Sequence, residues 1–235
     1  MKKYLITLLL ITAGMMFMLP SASAQRYYEP HFWIGAKGGM TLGHQEFSPN
    51  IRQSFAQGAT GGLTFRYSEE KLFGLIAELN FTQRGWKEDY EEDNDRFNYK
   101  RQLTYIQIPV MTHIYFGSRT IKGFINLGPS VGYMIGSKIS SNFDYHNPKS
   151  VEGFPYRYRY TDQLWMDIKN KFDYGICGGA GVELFFGKYK RHSIVLEGRY
   201  YFGLGSIFPN HKSDTFSSSR GTSIEVTMGY NFKVK

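Results

Sequence analysis

Hydrophobic and polar residues alternate along most of this chain with a period of two. The last segment is the clearest: Ile224, Val226, Met228, Tyr230, Phe232 and Val234 share one parity, and Glu225, Thr227, Gly229, Asn231 and Lys233 share the other. Successive side chains of a strand point to opposite faces, so this segment reads as one β-strand with one apolar face. The same split recurs upstream. Segment 194–204 sets its apolar residues against Glu197, Arg199 and Gly203, and 172–186 against Asp173, Cys177, Gly179, Gly181 and Glu183. Segment 125–135 does so against Asn126, Gly128, Ser130 and Gly132, and 106–116 against Gln107 and His113. Near the start, 75–81 opposes Glu78, Asn80, Thr82 and Arg84, 63–67 opposes Gly62, Thr64 and Arg66, and 34–42 opposes Lys37, Gly39 and Thr41. Eight strands are predicted.

The connections carry an independent signal. They read as long (44–56), short (68–71), long (86–97), short (117–122), long (139–170), short (187–191) and long (205–219). An up-and-down barrel with short periplasmic turns and longer outer loops produces such alternation, and an even strand number puts both termini at the short-turn end. Periodicity alone does not say which face points inward, because a soluble barrel hides its apolar face and a membrane barrel exposes it to lipid. Three features favour the membrane: strands longer than the ~5–6 residues usual in globular proteins, a final strand ending in aromatics, and aromatics near strand ends. The last are Trp33, Tyr67, Phe81, Phe116, Phe186, Tyr201, Phe202 and Phe232, placed as an interfacial girdle would be. The fold expected is all-β, an eight-stranded antiparallel up-and-down transmembrane β-barrel.

The N-terminus obeys a different pattern. Lys2 and Lys3 precede an apolar run from Tyr4 to Leu19, and Ala22-Ser23-Ala24 offers a small-residue cleavage site. Residues 1–24 read as a secretory signal peptide, which leaves 25–235 as the barrel domain and makes the protein an exported one. No later stretch approaches the 18 apolar residues of a membrane helix. The single cysteine, Cys177, excludes an internal disulfide and is too far from the cleavage site for a lipoprotein anchor. The net charge of +8 would suit nucleic acid in a cytosolic chain; in an exported barrel it suits a membrane surface instead.

Several runs together resemble a known family. They are Trp33-Ile34-Gly35-Ala36-Lys37-Gly38-Gly39-Met40-Thr41, the pair Gly61-Gly62-Leu63-Thr64 and Ala77-Glu78-Leu79-Asn80-Phe81-Thr82-Gln83-Arg84-Gly85, Tyr105-Ile106-Gln107-Ile108-Pro109, Gly128-Pro129-Ser130-Val131-Gly132-Tyr133, Gly179-Ala180-Gly181-Val182-Glu183 and Leu196-Glu197-Gly198-Arg199-Tyr200. In this order, over nearly the whole exported part, they look like the PorT-like outer-membrane β-barrel family of Bacteroidetes. The resemblance implies an eight-stranded barrel in the outer membrane and, through the founding member, a link to protein secretion by the type IX system.

An eight-stranded barrel is just wide enough for side chains to fill it. The inward set contains Lys37, Arg66, Arg84 and Arg199 against Glu78, Glu183, Glu197 and Glu225. Buried charges are costly unless paired, so this balance predicts an internal network rather than a diffusion pore. Counting back from the last loop puts Arg199 opposite Glu225.

Catalytic signals are weak. Gly128-Pro129-Ser130-Val131-Gly132 matches G-x-S-x-G but lies within a strand, without the strand-turn-helix context a nucleophile elbow needs. The six histidines show no ligand spacing and one cysteine makes no zinc signature, so no metal, no cofactor and no enzymatic activity are expected. Cys177 between small residues reads as a space-filler. The longest loop carries Tyr156, Arg157, Tyr158, Arg159, Tyr160 and Trp165. Aromatic platforms with guanidinium groups suit a glycan, lipopolysaccharide or a partner protein; the simpler reading is that the alternation extends the hairpin above the membrane. The acidic run 87–95 reads as a solvated tip, with divalent-cation binding as the alternative. Expected partners are outer-membrane lipid and lipopolysaccharide together with other envelope or secretion proteins, with no nucleic acid and a monomeric barrel. Two classes stay open: a structural or accessory barrel, and a surface-exposed binding protein.

Overall fold

The computed structural model describes residues 30–68, 72–155, 159–210 and 214–234, apart from the side chain of Asn94. The signal-peptide segment 1–24 and the loop residues Tyr156, Arg157 and Tyr158 lie outside the described residues.

Eight strands close on themselves: β1 (His31–Ser48), β2 (Gln53–Ser68), β3 (Phe73–Glu88), β4 (Tyr99–Gly117), β5 (Ile121–Ser141), β6 (Phe172–Phe186), β7 (His192–Ser206) and β8 (Ser218–Lys233). Every neighbouring pair is antiparallel, and β1 pairs with both β2 and β8, so the sheet closes on itself. The apolar parity faces out. Val226 and Met228 on the outer wall are 50% and 62% exposed, whereas Glu225 and Thr227, which alternate with them, are 2% and 4% exposed. A polar interior inside an apolar wall is the arrangement of a membrane barrel.

The strands run 15 to 21 residues, well beyond the ~9–11 that cross a bilayer. The excess stands at the long-loop end, where outward positions turn polar: His44 and Glu46 on β1, Lys87 on β3, Lys100 and Gln102 on β4, Arg220 on β8. This corrects the expected loop pattern. The first connection is only 49–52, no longer than the short second one, because β1 and β2 both continue as strands. Above Gly43↔Ala56 they part, β1 following β8 as far as Ser48↔Ser218 and β2 rejoining β3 at Phe55↔Trp86. The Gln53 side chain spans the gap, its Nε2 donating to the Gln45 carbonyl at 2.7 Å while its Oε1 accepts from the Gln45 amide at 3.2 Å.

Just below, β2 bulges between Phe55 and Thr60 and β1 lies directly against β3. Gly43 and Gly85 make that approach. A Cβ on Gly43 would sit 2.7 Å from the Gly85 nitrogen, and one on Gly85, whose φ is +156°, would sit 2.0 Å from the Arg101 carbonyl oxygen. Only glycine fits either place.

One further expectation is corrected. Trp33 and Tyr201, read as girdle residues, point into the barrel and are 6% and 1% exposed; each has a polar partner there that an outward position lacks. Of the longest loop, between the end of β5 at Ser141 and the start of β6 at Phe172, the described residues contain a 3-10 turn, Pro148–Ser150, and a one-turn helix, Asp162–Trp165, but no strand; most of the alternating run expected to extend the hairpin, 156–158, lies outside the described residues.

Candidate functional site

Inward parity brings the charged residues into three tiers along the barrel axis. Nearest the short turns, Arg66 makes a two-pronged pair with Glu183, at 2.6 and 2.8 Å, and Glu183 also accepts from the Ser193 hydroxyl. The Arg66 guanidinium lies over the Trp33 ring, 4.7 Å from its centre. In the middle tier Arg199 grips Glu78 with both nitrogens, at 2.7 and 2.9 Å, and Glu197 at 2.9 Å, while Lys37 stands 2.8 Å from Glu78. Asn80 donates to Glu78 and Asn126 to Glu197, and Asn126 is itself tied to His113. In the upper tier Arg84 pairs with Asp173 at 2.7 Å between the rings of Tyr105 and Tyr201, and the Tyr201 hydroxyl donates to the same Asp173 oxygen.

In the two lower tiers two-pronged geometry and extra hydrogen bonds offset a desolvation that would otherwise outweigh attraction, whereas in the upper tier Arg84 reaches Asp173 through one nitrogen and its other two nitrogens face the rings without a hydrogen bond. The space left is small. A cavity of about 40 Å³ borders Lys37, Thr64, Glu78 and Asn126, and another of about 30 Å³ borders Trp33, Arg66, His113 and Glu183. A water needs roughly 10–15 Å³ measured this way, so each holds a few waters rather than a stream.

Arg199 and Glu225 do face each other in register across β7 and β8, yet they do not form an ion pair. Arg199 lies between two carboxylates, Glu78 across the lumen and Glu197 two residues back on its own strand, and both take its nitrogens. Glu225, 2% exposed, has no ion pair among the described residues. Asp173, the partner of Arg84, stands outside the eight charges expected inside the barrel. It shares the inward parity of Glu183, so counting every inward acid would have found it.

Above the third tier the interior changes character. Phe47, Trp86, Tyr99, Leu103, Phe208 and Phe216 form the centre of an apolar cluster that Phe97, Phe154 and Leu164 of the loops complete. Rings meet edge to face, as Phe47 and Trp86 do with centres 5.3 Å apart, and Phe97 and Phe154 at 5.2 Å. The loops fold over the mouth as a dome. Its polar seams are buried: the Tyr99 hydroxyl donates to the Leu164 carbonyl at 2.7 Å, and Arg101 donates to the Met166 carbonyl at 2.7 Å. Burial pushes the Tyr99 phenol up and the Arg101 guanidinium down from their ordinary values.

Arg159 belongs to this dome. It pairs with Glu88 at 3.2 Å, donates to the Asp89 carbonyl at 3.0 Å and lies over the Tyr90 ring. Gln163 donates to the other Glu88 oxygen at 3.1 Å, yet burial still holds that carboxyl above the usual range. Tyr160 and Trp165 stay about half exposed on the surface, at 46% and 47%. The acidic run is no simple solvated tip: Glu88 is buried, Glu91–Asp95 form a 3-10 helix, and Glu91 pairs with Arg52. Among the described residues no three acidic, histidine or cysteine side chains converge as a metal site would require.

The sequence matches the model of the outer membrane protein beta-barrel domain family over residues 23–209. The chain belongs to that family. Its place is therefore the outer membrane, and its eight closed strands are the family's small barrel. Among solved structures, the outer membrane protein OprG from Pseudomonas aeruginosa shares the fold at 11% identity, covering 88% of this chain and 97% of that one with a TM-score of 0.52. Neisserial surface protein A is similar at 13% identity over 86% of this chain and 96% of that one, TM-score 0.45. A major outer membrane protein from Thermus thermophilus aligns at 9% identity over 88% and 100%, TM-score 0.43. None of the curated proteins matches the sequence.

Proposed function

We propose that this chain is a closed, non-enzymatic structural or accessory barrel whose dome is its working surface toward an envelope partner. One observation carries the reading: charged tiers and then an aromatic cluster fill the interior from the short turns to the dome. What such a barrel offers the envelope is a rigid outer face. The resemblance to the PorT-like family points to assistance in protein secretion as the task, with the signal peptide removed after Ala24 and the barrel working as a monomer. A strain lacking the protein should fail to export specific cargo whatever residues stand at 156–160. Normal export from that strain contradicts the secretion role.

A second reading rests on a cleft of about 550 Å³ at the dome, bordered by Asn50, Arg52, Tyr90, Glu91, Arg159 and Tyr160. Its volume is that of a ligand site, and it suits a surface-binding protein for a glycan or lipopolysaccharide. Replacing 156–160 by a Gly-Ser segment should then abolish ligand binding and leave secretion intact.

A further inference from the structure

The outer wall carries a second feature that neither reading uses. β7 bulges against β8 between Phe202 and Ser206, which face Thr222 and Arg220. The bulge opens a groove of about 630 Å³ on the lipid side, over the ends of β6 and β7. The Asn170 side chain donates to the Ser206 carbonyl at 2.8 Å, and the Met134 amide to the Lys171 carbonyl at 2.8 Å. These bonds fix segment 169–171 along the groove's edge.

The lining is divided by chemistry. Tyr133, Phe172 and Tyr174 are exposed at the upper margin of the apolar wall, the last two stacked with ring centres 6.1 Å apart. Above them stand Lys169, Lys171 and Arg220, all exposed, and no acidic residue lines the groove. Arg52, Arg66, Arg84, Arg159 and Arg199 each have a carboxylate partner. These three cations make no ion pair among the described residues, although Glu46 on β1 faces Arg220 across the β1–β8 ladder.

We propose that this groove binds the phosphate-bearing headgroup of a lipid, the three cations taking the phosphate and the aromatic margin taking the first part of the acyl chains. The position decides the source. A free phosphate would use the cations alone, whereas a lipid uses both halves, which meet where the apolar wall ends. Each basic residue at a membrane surface strengthens anionic-lipid binding by about fivefold.

The test uses the folded barrel in a zwitterionic detergent, titrated with dioctanoyl phosphatidic acid, dioctanoyl phosphatidylcholine and inorganic phosphate, with bound lipid counted by native mass spectrometry. Phosphatidic acid should bind at least about tenfold tighter than phosphatidylcholine. A Lys169→Gln/Lys171→Gln/Arg220→Gln variant should lose on the order of 100-fold. A Lys87→Gln/Lys100→Gln variant, on the far β3–β4 side, should bind like the parent, and inorganic phosphate should not compete at lipid concentrations. Unchanged binding in the triple variant, equal loss in the β3–β4 variant or competition by inorganic phosphate would each overturn the groove. Heat-dependent gel mobility confirms that both variants are folded, and a fall in affinity with added salt in the parent is a check that needs no substitution.

Discussion

The barrel at membrane level and the dome above it are built from the same strands with opposite logic. Below, the inward positions hold the charged tiers and other polar residues around a small apolar group, Ile76, Met111, Cys177 and Tyr201, and the outward ones are apolar; Arg199 and Glu78 lie inside while Met228 faces out. Above, the parity of β3 and β4 continues without a break, but Trp86, Tyr99 and Leu103 now point in and Lys87, Lys100 and Gln102 point out. The solvent explains the reversal. Where the wall meets lipid, burying apolar side chains inside gains nothing, because the bilayer is already as apolar as a core. Where the wall meets water, the hydrophobic effect again drives aromatics inward. The lower region is therefore held by pairing, and the upper one by packing.

Substitutions can break this comparison. The largest effect is expected at Arg199→Leu, which leaves Glu78 and Glu197 buried with Lys37 as their remaining cation. Uncompensated buried charge of this kind costs about 3–5 kcal/mol. Urea unfolding followed by gel mobility should show the loss. Glu225→Gln should cost far less, since that carboxyl has no ion pair to break among the described residues; equal losses in the two variants would mean that the tiers are not what holds the barrel.

Phe208→Ala should lower dome stability by about 3–5 kcal/mol, the range for emptying a buried aromatic site. Proteolysis should then cut the loops while the barrel keeps its folded mobility. If both regions melt together, they form one cooperative unit rather than two.

A smaller, pH-dependent effect is expected at Glu88. Its carboxyl is held above the usual range by burial, so the folded dome binds the proton more tightly than the unfolded chain does. Stability must then be greater at low pH and fall as pH rises through the range just above the ordinary carboxylate value. Hydrogen exchange of dome amides should be slower at pH 5 than at pH 7 after correction for the intrinsic rate, and Glu88→Gln should flatten that slope. Smallest of all, Arg52→Ala removes an exposed pair with Glu91 and should change stability by about 0–1 kcal/mol.

Much of this was legible in the sequence. The eight strands and their parity follow from the alternation itself, because lipid outside and polar groups inside impose opposite demands on successive residues. Lys37, Arg66, Glu78, Arg84, Glu183, Glu197, Arg199 and Glu225 all lie at inward positions and are buried. Their partners were less legible. Glu78 meets Arg199 across the lumen rather than between neighbouring strands, and the shape of a closed barrel is not written in local periodicity. The dome is hard to see in the sequence for a related reason. Residues 44–48 look like loop, since the outward His44 and Glu46 are polar, and the apolar residues that cover the inward Phe47 lie far away in the chain. Arg159 read as a surface grip for the same reason: its Glu88 partner lies 71 positions away in the chain.

The central claim is that the interior is closed, and electrical conductance tests it most directly. The purified barrel, shown to be folded by heat-dependent gel mobility, should give no current steps after insertion into a planar bilayer at neutral pH. Steady, reproducible single-channel steps from the folded parent protein would contradict the account.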